Sequence, residues 1–219
     1  MIKVCGMREA ENIREVEALG IDLMGFIFWP RSSRFVAEPP AYLPTKCKRV
    51  GVFVDENLET VRRIADEYAL DYIQLHGHES PDYCAQLQGM RLIKAISVSS
   101  HDDIAACKTY EGLVDYFLFD TKVTDSTPAL DGSGMAAAMP GGTGRQFEWS
   151  VLSAYAGDTP FLLSGGIGPN DAPTLRQTFT LGSFPAGKCL GIDLNSRFEL
   201  SPGLKDVAAL RQFFNELNR

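Results

Sequence analysis

Residues 49–76, RVGVFVDENLETVRRIADEYALDYIQLH, contain a repeating unit of the fold. The first six, Arg49–Val54, form a near-continuous apolar run, the pattern of a strand buried on both faces. Asn57 stands where a helix wants an N-cap. Leu58–Tyr68 spaces Val61, Ile64 and Ala65 along one helical face. Tyr72–His76 is again an apolar, β-rich run. A strand, a helix and a second strand make the unit of an α/β fold.

The same alternation runs through the chain. Further strands are expected at Ile2–Met7, Leu23–Phe28, Leu92–Ser97, Tyr116–Thr121, Phe161–Ser164 and Leu190–Leu194. Helical segments are expected at Asn12–Leu19, Pro81–Gln88, Asp102–Tyr110, Trp149–Tyr155, Asn170–Thr178 and Leu204–Leu217, with Asn170 as a second cap. The connection after the second strand is weak. Glu38–Leu43 holds Pro39 and Pro40 and is ended by Pro44, so any helix there is short. Strands and helices in alternation fit either a closed TIM (β/α)8 barrel or an open doubly wound sheet. A strand count of eight, with no GxGxxG after the first strand, favours the barrel. No linker divides the chain, so residues 1–219 are expected to form one domain.

Composition narrows the function classes. The chain has 219 residues, 45% hydrophobic and 22% charged, with a formal net charge of -7. No basic stripe is present, so nucleic acid is not an expected partner. Cys5, Cys47, Cys84, Cys107 and Cys189 include no CxxC pair, which argues against a zinc ribbon or a thioredoxin-type site. Free thiols in a reducing cytoplasm are expected. Met1–Gly6 shows no signal peptide, and no apolar run has the length of a membrane helix.

In a barrel, side chains at the C-terminal ends of the strands face the substrate. Those positions hold Cys5, Phe28-Trp29, Asp55, His76, Ser97, Asp120, Ser164 and Asp193. Cys5 and Asp120 end non-neighbouring strands and could face each other as a base and an acid. The plain alternatives are a small buried hydrophobe for Cys5 and a loop cap for Asp120. Glycines follow the seventh strand in Ser164-Gly165-Gly166-Ile167-Gly168, and Asp193-Leu194-Asn195-Ser196 follows the eighth. A third glycine segment, Gly141-Gly142-Thr143-Gly144, comes earlier. Glycines ahead of helices let backbone N–H groups approach a phosphate. Arg34 in Arg31-Ser32-Ser33-Arg34 could grip a carboxylate, or be a solvated loop charge. His76-Gly77-His78-Glu79 lacks the spacing of a helical metal motif. His76 is expected to shape the pocket, and His78 and His101 to lie on the surface. Residues 123–140 form a long, small and polar loop, a kind usually functional or disordered.

Together these segments resemble the phosphoribosylanthranilate isomerase family. The matching motifs are Lys3-Val4-Cys5-Gly6-Met7-Arg8, Gly25–Phe28 with Ser32–Phe35, Val50–Val54, Gln74-Leu75-His76-Gly77 and Phe119-Asp120-Thr121-Lys122. Gly141–Trp149, Ser164-Gly165-Gly166, Gly191-Ile192-Asp193 and Pro202–Asp206 complete the order. The resemblance implies an Amadori rearrangement of N-(5-phosphoribosyl)anthranilate in tryptophan biosynthesis. By that match, Asp120 protonates the ring oxygen and Cys5 removes the C2′ proton. Arg34 holds the anthranilate carboxylate. Gly142, Ser164–Gly166 and Asn195–Ser196 hold the phosphate, and Gln74, His76 and Asp193 complete the pocket. The resemblance implies no cofactor and no metal, only a phosphosugar substrate, with a monomer or homodimer as the assembly.

Cys5 must act as a thiolate, which calls for a thiol that ionises near neutrality. Asp120 must carry a proton when the ring opens, which calls for a partly dry site. Two features depart from the family pattern. The 123–140 loop is long and contains a second glycine run, Asp131–Gly134, and Ser196 is followed by Arg197-Phe198 where Gly-Val is commoner. Two rival readings are an indole-glycerol-phosphate-synthase-like barrel using Lys94, and a phosphate-ligand binding protein without turnover.

Overall fold

The computed structural model describes residues 1–121, 149–182, 184, 185 and 187–218. The loop at 123–140 and the Gly141–Gly144 segment lie outside them. Eight parallel strands close into a barrel in chain order. They are β1 (Ile2–Val4), β2 (Leu23–Ile27), β3 (Lys48–Phe53), β4 (Tyr72–Leu75), β5 (Leu92–Val98), β6 (Tyr116–Thr121), β7 (Phe161–Leu163) and β8 (Cys189–Leu194). The barrel closes where β8 pairs with β1, setting Lys3 opposite Asp193 and Val4 opposite Leu194. That pairing excludes the open sheet. β1 ends earlier than the apolar run does, yet Cys5 N still donates to Leu194 O at 2.9 Å and Met7 N to Gly25 O at 3.0 Å.

Alternation along each strand sorts its residues into two sets. Val4, Met24, Phe26, Phe53, Phe117, Phe119 and Phe161 turn outward and form the main core under the helices. Leu23, Val50, Tyr72, Ile93, Leu118 and Leu162 turn inward and fill the barrel floor as a separate cluster. Both sets are buried, which is why the strands read as continuous apolar runs. Phe119 stacks obliquely on Phe161 with centroids 4.8 Å apart, and Tyr155 meets Phe119 edge-on at 5.4 Å. The Tyr155 hydroxyl donates to Thr159 O at 2.6 Å.

The outer layer contains α1 (Ala10–Glu17), α2 (Leu58–Glu67), α3 (Pro81–Gln86), α4 (His101–Ala105), α5 (Ala172–Thr180) and α6 (Val207–Leu217). Asn57 caps α2 as expected, accepting from Thr60 N at 2.9 Å. Asn170 does not cap α5: it lies inside a short 3-10 turn, Pro169–Asp171, and α5 begins after it. The segments Trp149–Ala154 and Ala106–Tyr110 are 3-10 turns rather than α-helix. The last helix begins at Val207, later than the pattern implied. Asp206 is its cap, accepting from Ala209 N at 3.0 Å. Leu204–Lys205 instead forms β10, antiparallel to β9 (Glu199–Ser201).

No helix fills the second connection among the described residues. The prolines keep 38–47 irregular, and Glu17 at the end of α1 pins it. Its carboxylate accepts from Tyr42 Oη, Thr45 N and Lys46 N, each at 2.5 Å. Burial alone would raise this carboxyl, but the Tyr42 hydroxyl and the two amides outweigh it and hold it below its ordinary value. A depressed carboxyl stabilises the fold above its unfolded value and loses that contribution as pH falls through the folded one. Glu17→Ala is therefore expected to cost about 2–3 kcal/mol at neutral pH. Urea unfolding at pH 7 and at pH 3 tests this, with the gap to wild type shrinking in acid.

Candidate active site

Continuing the inward row toward the C-terminal ends of the strands replaces the apolar floor with polar groups. Cys5, Gln74, His76, Asp120, Ser164, Asp193 and Asn195 all keep the inward parity, and they line one pocket with Arg34, Gly165, Gly166, Ser196 and Arg197. Every residue that the family resemblance assigns to the site is brought together there except Gly142, which lies outside the described residues. Trp29 also lines it, while Asp55 and Ser97 do not.

Cys5 comes from β1 and Asp120 from β6, on opposite sides of the barrel. Cys5 is 4% exposed and Asp120 7%. Room for the thiol is made by Gly25 on neighbouring β2, where an added Cβ would lie 2.6 Å from the Cys5 sulfur. Burial pushes the Cys5 thiol above its ordinary value, despite the opposing pull of Lys3 and Lys205. The expectation of a thiol ionising near neutrality is thus corrected: desolvation outweighs the nearby cations.

Asp120 Oδ2 lies 3.4 Å from His76 Nε2. His76 Nδ1 in turn lies 2.9 Å from Gln74 Nε2. These two contacts link Gln74, His76 and Asp120 in a chain along the pocket. The other end of that amide, Gln74 Oε1, is buried without a hydrogen-bond partner.

Arg34 is preorganised by a carboxylate of the chain itself. Glu199 accepts from Arg34 Nε at 2.9 Å and Nη2 at 2.6 Å, which leaves Nη1 outside the ion pair. Glu199 also accepts from Lys205 Nζ at 2.6 Å, and Lys205 donates to Asn195 Oδ1 at 2.8 Å. Burial would raise Glu199, but Arg34 and Lys205 hold it below the usual carboxylate range. Gly6, at φ +77°, fits between these groups, since a Cβ there would lie 2.7 Å from Arg34 Cδ and 2.8 Å from Asn195 Oδ1.

The glycine side of the pocket has a backbone that only glycine adopts easily. Gly165 and Gly166 have φ of 89° and 67° in succession. Arg197 lies beside this segment, its Nε 3.2 Å from where a Gly168 Cβ would be. Arg197 is exposed to solvent and also lines the pocket.

The His-Gly-His sequence separates. His76 faces the pocket, whereas the His78 side chain is 98% exposed and stands 3.2 Å from Asp55. Among the described residues no cluster of three or more His, Cys, Asp or Glu is arranged to hold a metal. Lys94, the residue the rival synthase reading needs, has the outward parity. It is buried against Glu79 at 2.8 Å and Gly77 O at 2.7 Å. Sequence reasoning missed three charged groups around the pocket: Lys3, Glu199 and Lys205. Only Lys3 left a trace, as a lysine on the same strand row as Cys5.

A family model described as N-(5'phosphoribosyl)anthranilate (PRA) isomerase matches residues 2–216. This chain belongs to that family. An N-(5'-phosphoribosyl)anthranilate isomerase of Phocaeicola vulgatus is 46% identical over 221 residues, covering 100% of this chain and 98% of the relative. The phosphoribosyl anthranilate isomerase of Thermus thermophilus superposes with a TM-score of 0.78 at 27% identity, covering 99% and 98% of the two chains. A family structure in complex with reduced 1-(o-carboxyphenylamino)-1-deoxyribulose 5-phosphate superposes with a TM-score of 0.74 at 25% identity, covering 99% and 97%. No helix among the described residues is long and apolar enough to cross a membrane.

Within this isomerase barrel Gly25 leaves no room for a side chain beside Cys5. Gly25→Ala must displace Cys5, and is expected to lower kcat at least about tenfold while costing about 1–3 kcal/mol of stability. Turnover assays beside thermal melts check both effects. Normal turnover would show that Cys5 has freedom the packing does not indicate.

Proposed function

We propose that this pocket carries out the Amadori rearrangement of N-(5-phosphoribosyl)anthranilate to 1-(2-carboxyphenylamino)-1-deoxyribulose 5-phosphate. Asp120 is the general acid and Cys5 the general base. The observation that carries the reading is a carboxyl and a thiol from β6 and β1 lining one pocket.

The steps follow from those two groups. Asp120 gives its proton to the furanose ring oxygen as the C1′–O bond breaks, and the anilino nitrogen lone pair forms the iminium. His76 orients the carboxyl through the Nε2 contact at 3.4 Å. The iminium acidifies the C2′ hydrogen, which the Cys5 thiolate removes to leave an enolamine. Tautomerisation gives the ketone. No step calls for a cofactor or metal.

Binding assigns the remaining residues. The phosphate sits against Ser164, Gly165 and Gly166, with Asn195, Ser196 and Arg197 beside it. Consecutive left-handed glycines bring backbone N–H groups close to an anion, and Arg197 adds charge. Gly142 belongs to this set by the family match alone. The anthranilate carboxylate pairs with Arg34 through Nη1, since Glu199 occupies the Nε and Nη2 edge. The unpartnered Gln74 Oε1 accepts from a substrate hydroxyl. Asp193 supports the floor through Lys3 and Ser164. The chain acts as one barrel domain, in the cytoplasm, on a small phosphosugar, without nucleic acid or membrane, as a monomer or homodimer.

The reading is tested by following anthranilate fluorescence with substrate generated in situ. Cys5→Ser and Asp120→Asn are each expected to lose roughly 10²–10⁴-fold in kcat while staying folded. Retention of wild-type rates by either variant sinks that residue's role. Affinity with no turnover by wild type would turn the reading to a binding protein.

The pH profile gives a separate check. The reaction needs a protonated Asp120 and a Cys5 thiolate at once, so kcat/KM, which reports the free enzyme, should be bell-shaped, with the alkaline fall set by a thiol that burial raises and lying above about pH 8.5. An alkaline fall already under way at neutrality would contradict Cys5 as the base in this environment.

A further inference from the structure

Lys3 is fully buried and does not line the pocket. It stands two residues before Cys5 on the same inward row of β1. Strand register puts it opposite Asp193, and its Nζ lies 2.8 Å from Asp193 Oδ1. Cys5 is the next residue along that inward row, so its side chain is the ammonium's neighbour on the same face of the strand. Packing gives no reason for an ion there, because the surrounding floor is Leu23, Val50, Ile93, Leu118 and Leu162. A buried ion pair is often no more stabilising than apolar side chains of the same volume. The pair is explained instead by what lies directly above it.

We propose that Lys3 is a positioning residue for Cys5: its ammonium, held charged by Asp193, stabilises the thiolate that takes the C2′ proton. The proposal rests on the reading of Cys5 as general base. Lys3 keeps its own proton throughout, and the proton from C2′ ends on sulfur, converting thiolate to thiol.

The groups facing Cys5 come from every side. Lys3 lies below it on β1 and Asp193 on β8. Lys205 of β10 approaches with Glu199 of β9 and Arg34, and β2 presents only Gly25. Asp120 and His76 face it across the pocket. Lys3 and Lys205 favour the thiolate, while burial and the Asp193 charge oppose it. Of the two lysines, Lys3 is the one on the same strand row as Cys5. Lys205 spends its donors on Asn195 and Glu199. Lys3 itself stays above its ordinary value: burial would lower it, but Asp193 and Cys5 outweigh burial.

The test is the pH dependence of iodoacetamide alkylation at Cys5, read peptide by peptide by mass spectrometry on the whole folded protein. Cys47, Cys84, Cys107 and Cys189 serve as internal references. Lys3→Met should raise the Cys5 midpoint by at least about one pH unit, and Lys3→Arg should leave it near wild type. Asp193→Asn should lower it, because it removes the opposing charge. In turnover, Lys3→Met should lose kcat at pH 7 more than it alters KM. A purely structural role would not move the Cys5 midpoint in opposite directions for the two charges. An unmoved midpoint in folded Lys3→Met, or shifts of the same sign in Lys3→Met and Asp193→Asn, overturns the proposal. If Lys3→Met does not fold, Lys3→Gln takes its place: a raised midpoint supports the proposal, and an unmoved or lowered one overturns it. Shifts as expected with a fully active Cys5→Ser would instead remove Cys5 from the reaction and leave the Lys3–Cys5 pair standing.

Discussion

The Lys3–Asp193 contact lies where the last strand of the barrel returns to the first. Closure there is a register constraint: Lys3 faces Asp193, and the strand period then dictates the rest of each inward row. A slip of one residue in β1 would turn Cys5 outward and put Val4 in the pocket. The same parity runs around the barrel, so an apolar floor lies below a polar mouth without any special local structure. Cys5 and Asp120 oppose each other because β1 and β6 are not neighbours in a closed ring.

Around that frame, buried carboxylates fix loops more than they take part in chemistry. Glu17 substitutes for a missing helix by collecting the donors of 42–46. Glu79 accepts from Asp55 N at 2.9 Å and Gly77 N at 3.0 Å and neutralises Lys94, tying three strand ends together. Glu199 holds Arg34 in place before any ligand arrives. An Arg fixed in this way loses little side-chain freedom on binding an anion, and the ordering cost falls on the fold instead. Cys5 and Asp120 are both buried in the pocket, where burial disfavours a charged thiolate. The neighbouring ammonium of Lys3 offsets part of that penalty.

The strands are legible in the sequence because each is buried on both faces, so an apolar run of the right length has little other meaning. Cys5 and Asp120 are legible because each interrupts such a run at its C-terminal end. The supporting charges are not. Lys3 follows the first two residues and looks like a solvated terminus, while its partner is 190 residues away. Glu199 and Lys205 sit on strands of three and two residues, too short for a periodic signal, and the pattern extends α6 over Lys205. Glu17 reads as the polar end of a helix, and nothing local shows that it caps a loop 28 residues on. The Asn170 expectation fails because a proline-led 3-10 turn takes the place of a simple cap. In each case a long-range partner or a short irregular element overrode a local preference.

The most direct test of the opposed thiol and carboxyl is a crystal structure of this chain with reduced 1-(o-carboxyphenylamino)-1-deoxyribulose 5-phosphate bound. The expected arrangement has the Cys5 sulfur about 3–3.5 Å from C2 of the sugar chain and Asp120 on the opposite side, at the former ring oxygen. The phosphate should lie on Gly165-Gly166 and the carboxylate on Arg34. A ligand seated with Cys5 and Asp120 on the same side, or with its phosphate away from the glycines, would contradict the account.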